Sequence, residues 1–225
     1  YFSHNVESPA QVAAFSAELQ NAARDAGLPP LWISIDQEGG MVARITEDVA
    51  LMPGNMAIAA AGEPEAAFAA ANASGLELRA MGINLNYAPV VDVNNNPDNP
   101  VIGVRSFGES AELVAAYGVA AVKGYQEAQV AAAAKHFPGH GDTSVDSHLD
   151  LPVIAHGKER VHALELVPFR AVIEAGVDAI MASHVYFPAF ERLRLPSTLS
   201  RAVLHDLLRR SEEHTSELQS LTNLV

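Results

Sequence analysis

Fourteen consecutive residues, KHFPGHGDTSVDSH at 135–148, hold Lys135, His136, His140, Asp142, Asp146 and His148 around the turn-forming Pro138, Gly139 and Gly141. His148 lies two residues after Asp146. An imidazole with a carboxylate neighbour keeps a defined tautomer and can act first as general acid and then as general base. The carboxylate also makes the ring more basic by steadying its charged form. Lys135 and His136 are adjacent, and side chains alternate along a strand, so both reach one ligand only where the backbone turns. Pro138 and Gly139 supply that turn. Lys135 adds a fixed cation with several donors, which suits a ligand rich in hydroxyls. The cluster also has the residue types of a zinc or dinuclear site, although a pair of loop residues at i and i+2 is not a diagnostic ligand spacing. A purely structural polar network would use the same residues, but many polar groups at one strand end are costly unless something satisfies them. His156, His162 and His205 read as structural or solvated.

Other polar residues recur in similar settings. Asp36, in "IDQEGG", follows an apolar stretch and precedes two glycines; it caps a turn or holds ligand hydroxyls as a strong acceptor. Arg44 follows eight residues later, as a ligand contact or a surface ion pair. Arg105, in "GVRSFG", is a long cation among small residues that can swing into a pocket. Asp92 is expected to order the loop carrying Arg105 rather than to touch a ligand. His184, at the end of another apolar stretch, lines the pocket or makes a structural hydrogen bond.

The elements that must position these residues alternate between strands and helices. "SPAQVAAFSAELQNAARDAG" predicts a helix with Val12, Phe15, Leu19 and Ala23 on its apolar stripe. Trp32 to Ile35 predict a buried strand. "EPEAAFAAANASGLELRAMG", "SAELVAAYGVAAVKGYQEA" and "LELVPFRAVIEAG" predict further helices, and "TLSRAVLHDLLRR" another, N-capped by Ser200. "INLNYAPVVDVN", "QVAAAAKHF" and "VDAIMASHVYFP" predict strands. Repeated β-then-α units imply a parallel sheet covered by helices. The polar clusters fall at the C-terminal ends of the strands, the pattern of an α/β (β/α)8 TIM barrel, whereas a doubly wound sheet gathers its ligand groups at one switch point. No G-x-G-x-x-G follows an early strand, which leaves a dinucleotide fold without support. Four complete strands are visible, with a stub at Tyr1–Phe2. The barrel is therefore expected to be incomplete at both ends, with its first strand and last two strands missing.

Composition sets outer bounds. The 225 residues suffice for one large domain. With 14 basic against 27 acidic residues the net charge is -13, and no basic stripe marks a nucleic-acid track. The chain has no cysteine, which removes disulfides and thiolate metal sites. No apolar run reaches membrane-spanning length, "LMPGNMAIAAAG" being short and broken by Pro53 and Gly54. Compartment stays open: the absence of cysteine favours the cytoplasm, and secretion remains compatible because the chain opens without Met. Oligomeric state is not legible. The last sixteen residues, 210–225, change character. Read back in one DNA frame, "RSEEHTSELQS" resembles a common sequencing-library adapter, so the domain is expected to span 1–209 and the tail to be non-native.

"KHFPGHGDTSVDSHLDLP" resembles the signature of family-3 glycoside hydrolases, in the β-N-acetylhexosaminidase branch. "IDQEGGMVARI", "GINLNYAPVVDVN", "NPVIGVRSFG", "LELVPFRAVIEAGVDAIMASHVYFP" and "PSTLS" follow the same family in order, so the resemblance covers nearly all of 1–209. It implies a TIM barrel that removes terminal β-linked N-acetylglucosamine with retention, from peptidoglycan-derived muropeptides or chitin oligomers, without metal or cofactor. It implies His148 as proton donor and later base, Asp146 as its tuning partner, and Asp36, Arg44, Arg105, Lys135 and His136 as sugar-binding residues. Met41 stands where the family commonly has Arg. The family's nucleophile, an aspartate in a later strand-end motif, has no counterpart here, and Asp206 lies inside an apolar helical pattern. The chain on its own is therefore expected to be inactive. A family-3 β-glucosidase, a phosphorylase using the same histidine, a metal-dependent barrel hydrolase and a non-catalytic sugar binder remain as alternatives.

Overall fold

The computed structural model describes residues 1–145 and 150–209. Four strands form one parallel sheet in chain order, β1 (Ser34–Ile35), β2 (Leu85–Asn86), β3 (Ala131–Phe137) and β4 (Ala179–Ala182). Sequential neighbours joined by helical crossovers are the barrel arrangement; a doubly wound sheet would reverse its order at a switch point. Tyr1 sits beside this sheet, its terminal nitrogen donating to Ser34 O at 2.5 Å.

The ladders run on beyond the short strands. Tyr87 N donates to Ile35 O, Val91 N to Lys135 O, and Lys135 N to Pro89 O, so the chain after β2 stays against β3 as far as the site. β3 carries four consecutive alanines, poor strand formers by propensity. Ala132, Ala133 and Ala134 are nevertheless buried, and packing between two paired neighbours decides the matter. Trp32, read as part of a buried strand, is 46% exposed, and regular pairing begins only at Ser34.

The helices are α1 (Pro9–Asp25), α2 (Asn55–Ala60), α3 (Pro64–Ala80), α4 (Ala111–Glu127), α5 (Lys158–Ala163) and α6 (Leu166–Glu174), followed by a π-type helix over Ala202–Arg209. Three of the starts are encoded by a serine cap. Ser8 Oγ accepts from Gln11 N at 3.1 Å with Pro9 next in line, and Ser110 Oγ accepts from Leu113 N at 3.3 Å. Ser200 likewise takes Val203 N at 3.2 Å. α1 buries Val12 and Ala23, but Phe15 stays largely exposed and meets the Tyr1 ring edge-on.

α3 and α4 pack closely because Gly124 has no side chain: a Cβ there would lie 2.4 Å from Phe68 O. The larger core joins α4 and α6 to the sheet through Val91, Val114, Val122, Phe137, Phe169 and Val172. A smaller one joins α1 and α3 to β1 through Val12, Ile33, Ile35, Leu78 and Ile83. Burying a side chain such as Phe169 contributes about 1.5–3 kcal/mol. An apolar cleft of about 890 Å³ runs along the sheet from Trp32 and Tyr87 to Met181 and His184. No helix among the described residues is long and apolar enough to cross a membrane.

Candidate active site

Three strand ends deliver the polar residues to one place. The turn after β1 brings Asp36, Glu38 and Arg44. Gln37 builds it: its amide oxygen accepts from Arg44 N and Ile45 N, its amide nitrogen donates to Ile45 O, and its backbone pairs with the side chain of Asn86. Gly39, at φ +91°, makes the reversal, and Met41 at its tip is 80% exposed, pointing to solvent. The segment after β2 brings Asp92 and, on a 3-10 turn at Gly103–Arg105, Arg105. The end of β3 brings Lys135, His136 and His140. The register of β3 against β4 shifts between Lys135 and Phe137, which lets two adjacent residues face the site. The Lys135–His136 and Phe137–Pro138 peptides are cis. The loop then presses on the β2 segment at Gly141, where a Cβ would lie 1.8 Å from Val93 O.

Charges alternate through the cluster. Lys135 Nζ lies 2.5 Å from Asp36 Oδ1 and 2.7 Å from Glu38 Oε1. Arg105 grips Glu38 with two prongs, Nε to Oε2 at 2.9 Å and Nη2 to Oε1 at 2.7 Å, and its Nη1 donates to Val101 O. Arg44 Nη2 lies 3.7 Å from Asp36 Oδ2, and its buried Nε has no partner among the described residues. Lys135 and Glu38 are almost wholly buried, whereas Asp36 and Arg44 keep 26% and 31% of their side-chain surface open. Two carboxylates, Asp36 and Glu38, thus face three permanent cations, which is how charges at this depth are tolerated. Burial would push the Glu38 carboxyl up; the Arg105 hydrogen bond and the Lys135 charge outweigh it and hold it below the usual range.

Asp92 has a different role from the one its position suggested. Its carboxylate serves β3 rather than the Arg105 loop: Oδ2 lies 2.7 Å from His136 Nδ1, and Oδ1 accepts from His136 N and His140 N at 3.2 and 2.7 Å. For that loop its backbone oxygen accepts from Ser106 Oγ at 2.6 Å, and its charge favours the Arg105 cation. His140 is buried, with Nδ1 2.8 Å from Thr143 Oγ1, and burial lowers its pKa. His184 lines the cleft and lies 2.8 Å from Thr198 Oγ1. His156 contacts the Asp142 carboxylate, and His162 contacts Arg170. Asp206 is half-exposed in the last helix, beside His205.

Asp36, Arg44, Arg105, Lys135 and His136 are thus brought together. Asp146 and His148 lie outside the described residues. Asp92 was expected only to order the Arg105 loop, and Glu38 was not recognised from sequence as part of the site. Glu38 reads as one more turn carboxylate before Gly-Gly; the only hint was its place two residues after Asp36.

The chain is 42% identical over 224 residues to beta-hexosaminidase A of Pseudoalteromonas piscicida, covering 92% of this chain and 38% of that protein. A β-N-acetylglucosaminidase structure from Paenibacillus sp. str. FPU-7 superposes with a TM-score of 0.92 at 58% identity, covering 95% of this chain and 40% of that one. NagZ from Neisseria gonorrhoeae, solved with N-trifluoroacetyl-D-glucosamine, superposes with a TM-score of 0.87 at 32% identity, covering 95% and 63%. The chain spans 38% to 62% of the length of such curated relatives. The Glycosyl hydrolase family 3 N terminal domain matches residues 1–213, and the chain belongs to that family.

Proposed function

We propose that the parent protein is a retaining exo-β-N-acetylglucosaminidase and that the cluster at the strand ends is its sugar site. The observation that carries this reading is the pairing of Asp36 with Lys135. Lys135 spends one ammonium proton on Asp36 and one on Glu38, which leaves its third proton beside the Asp36 carboxylate, 26% open, as a donor and an acceptor for hydroxyls. Arg44, Arg105 and His136 surround them. The relatives named as hexosaminidases, and the one solved with a glucosamine derivative, support the choice of sugar.

In the reaction, His148 protonates the departing glycosidic oxygen while a carboxylate attacks the anomeric carbon; His148, now basic, then activates water to cleave the glycosyl-enzyme. Asp146 orients His148 and stabilises its charged form. Asp36, Glu38 and Asp92 are engaged by Lys135, Arg105 and His136, so none of them is assigned as the attacking carboxylate. The chain on its own is therefore expected to bind sugar without turning it over. Natural substrates would be muropeptides or chitin oligomers.

The test is p-nitrophenyl N-acetyl-β-glucosaminide hydrolysis by this chain and by a longer one continued from the family past Arg209. Turnover by the longer chain, abolished by His148→Ala, is expected. Full turnover by the 225-residue chain would overturn the assignment. Product formation that requires inorganic phosphate would identify a phosphorylase instead.

A further inference from the structure

Asp92 is completely buried, yet both of its oxygens are committed to a single stretch of chain, His136 to His140. The two backbone N–H groups on Oδ1 fix that carboxylate in place. Oδ2 is left facing His136 Nδ1 at 2.7 Å. Burial would raise the Asp92 carboxyl, but the facing His136 holds it low, and with the ring neutral the two backbone N–H donors on Oδ1 still favour the ionised form. An ionised carboxylate only accepts, so the proton of the hydrogen bond must sit on Nδ1. In the neutral ring, Nε2 then carries the lone pair. Nε2 has no protein partner among the described residues, and the His136 side chain keeps 17% of its surface open.

We propose that Asp92 is a positioning residue that sets the tautomer of His136, so that Nε2 meets the sugar as a hydrogen-bond acceptor from one of its hydroxyls. This rests on the sugar-site reading above. Asp92 does not touch the sugar; it acts through the ring. In a neutral Asn side chain placed there, one oxygen still accepts from the backbone N–H groups, but an NH2 group faces Nδ1. That forces the proton to Nε2 and turns the acceptor into a donor, the same logic by which an Asp-to-Asn change inverts the histidine of a serine-protease triad.

The experiment is ¹⁵N NMR of the imidazoles in the 225-residue chain at alkaline pH, with His136 signals assigned by their loss in His136→Gln. Nδ1–H is expected in the unsubstituted chain and Nε2–H in Asp92→Asn. Titration with N-acetylglucosamine is expected to show affinity falling at least about fivefold in Asp92→Asn, the loss of one hydrogen bond. An Nε2–H or doubly protonated His136 in the unsubstituted chain would overturn the proposal, and that measurement does not depend on the variant folding. A flipped tautomer with unchanged affinity would overturn it too. If the unsubstituted chain fails to bind N-acetylglucosamine, the sugar-site reading fails, and the tautomer measurements alone decide whether Asp92 sets His136.

Discussion

Glu38→Gln removes one negative charge and almost no volume from a buried position. The carboxylate there takes Arg105 Nε and Nη2 at 2.9 and 2.7 Å and Lys135 Nζ at 2.7 Å. Lys135 would retain Asp36, 2.5 Å away, but Arg105 would lose its two-pronged ion pair and keep Val101 O and at most one neutral acceptor. Removing one partner of a buried ion pair costs about 3–5 kcal/mol. The amide oxygen still accepts one hydrogen bond and Arg105 is 16% exposed, which puts the loss near about 3 kcal/mol. Against a domain stability of about 5–15 kcal/mol, that is large. Urea unfolding followed by circular dichroism measures it: with a slope of about 1–3 kcal/mol per molar, the midpoint falls by roughly 1–3 M. The effect also depends on pH. The folded Glu38 carboxyl is held low, so its contribution is complete above the unfolded carboxylate range and disappears as pH falls through the folded value. The gap between the two proteins is therefore full at neutrality and narrows below about pH 4. A difference under about 0.5 kcal/mol at neutral pH, the size of an ordinary surface change, would refute the reasoning.

Gly124→Ala places a methyl 2.4 Å from Phe68 O and is expected to force α3 from α4, costing about 1–3 kcal/mol in the same urea assay. Ser110→Ala deletes the α4 cap and is expected to lower stability by about 1 kcal/mol, with Ser110→Asp restoring it. Phe169→Ala empties a fully buried site and is expected to cost about 3–5 kcal/mol, read as a drop in melting temperature. Burial depresses the folded His140 pKa, so the unfolded chain takes up its proton first as pH falls. Stability due to His140 is complete above about pH 6.5 and declines below it, and His140→Gln is expected to flatten that part of the stability–pH curve.

The order of elements was legible because each strand is an apolar stretch ended by a polar cluster, and each long helix carries its own start signal, as at Ser8-Pro9 and Ser110. Strand lengths were not. Regular pairing in β1 and β2 covers two residues each, and scattered backbone bonds such as Tyr87 N to Ile35 O, with the side chains of Asn84 and Asn86, make the neighbouring contacts. Periodicity put Phe15 in the core, but α1 turns the neighbouring Ser16 inward to meet the hydroxyl of Tyr1. In the candidate site, Arg44, Arg105, Lys135 and Asp36 were singled out through their motifs. Glu38 and the pairing of Asp92 with His136 were missed for one physical reason: both act on residues far away in sequence, and a local pattern carries no trace of a partner 67 or 44 positions distant.

The cancellation of charge among Asp36, Glu38, Asp92, Arg44, Arg105 and Lys135 has a consequence for the solvent. Although the chain carries a net -13, the formal charges of these six residues sum to zero, so an uncharged guest docks here without changing the net charge of the patch. Added salt will therefore leave the capture of an uncharged ring nearly unaltered, while an anionic analogue of the same ring will feel the ionic strength of the medium.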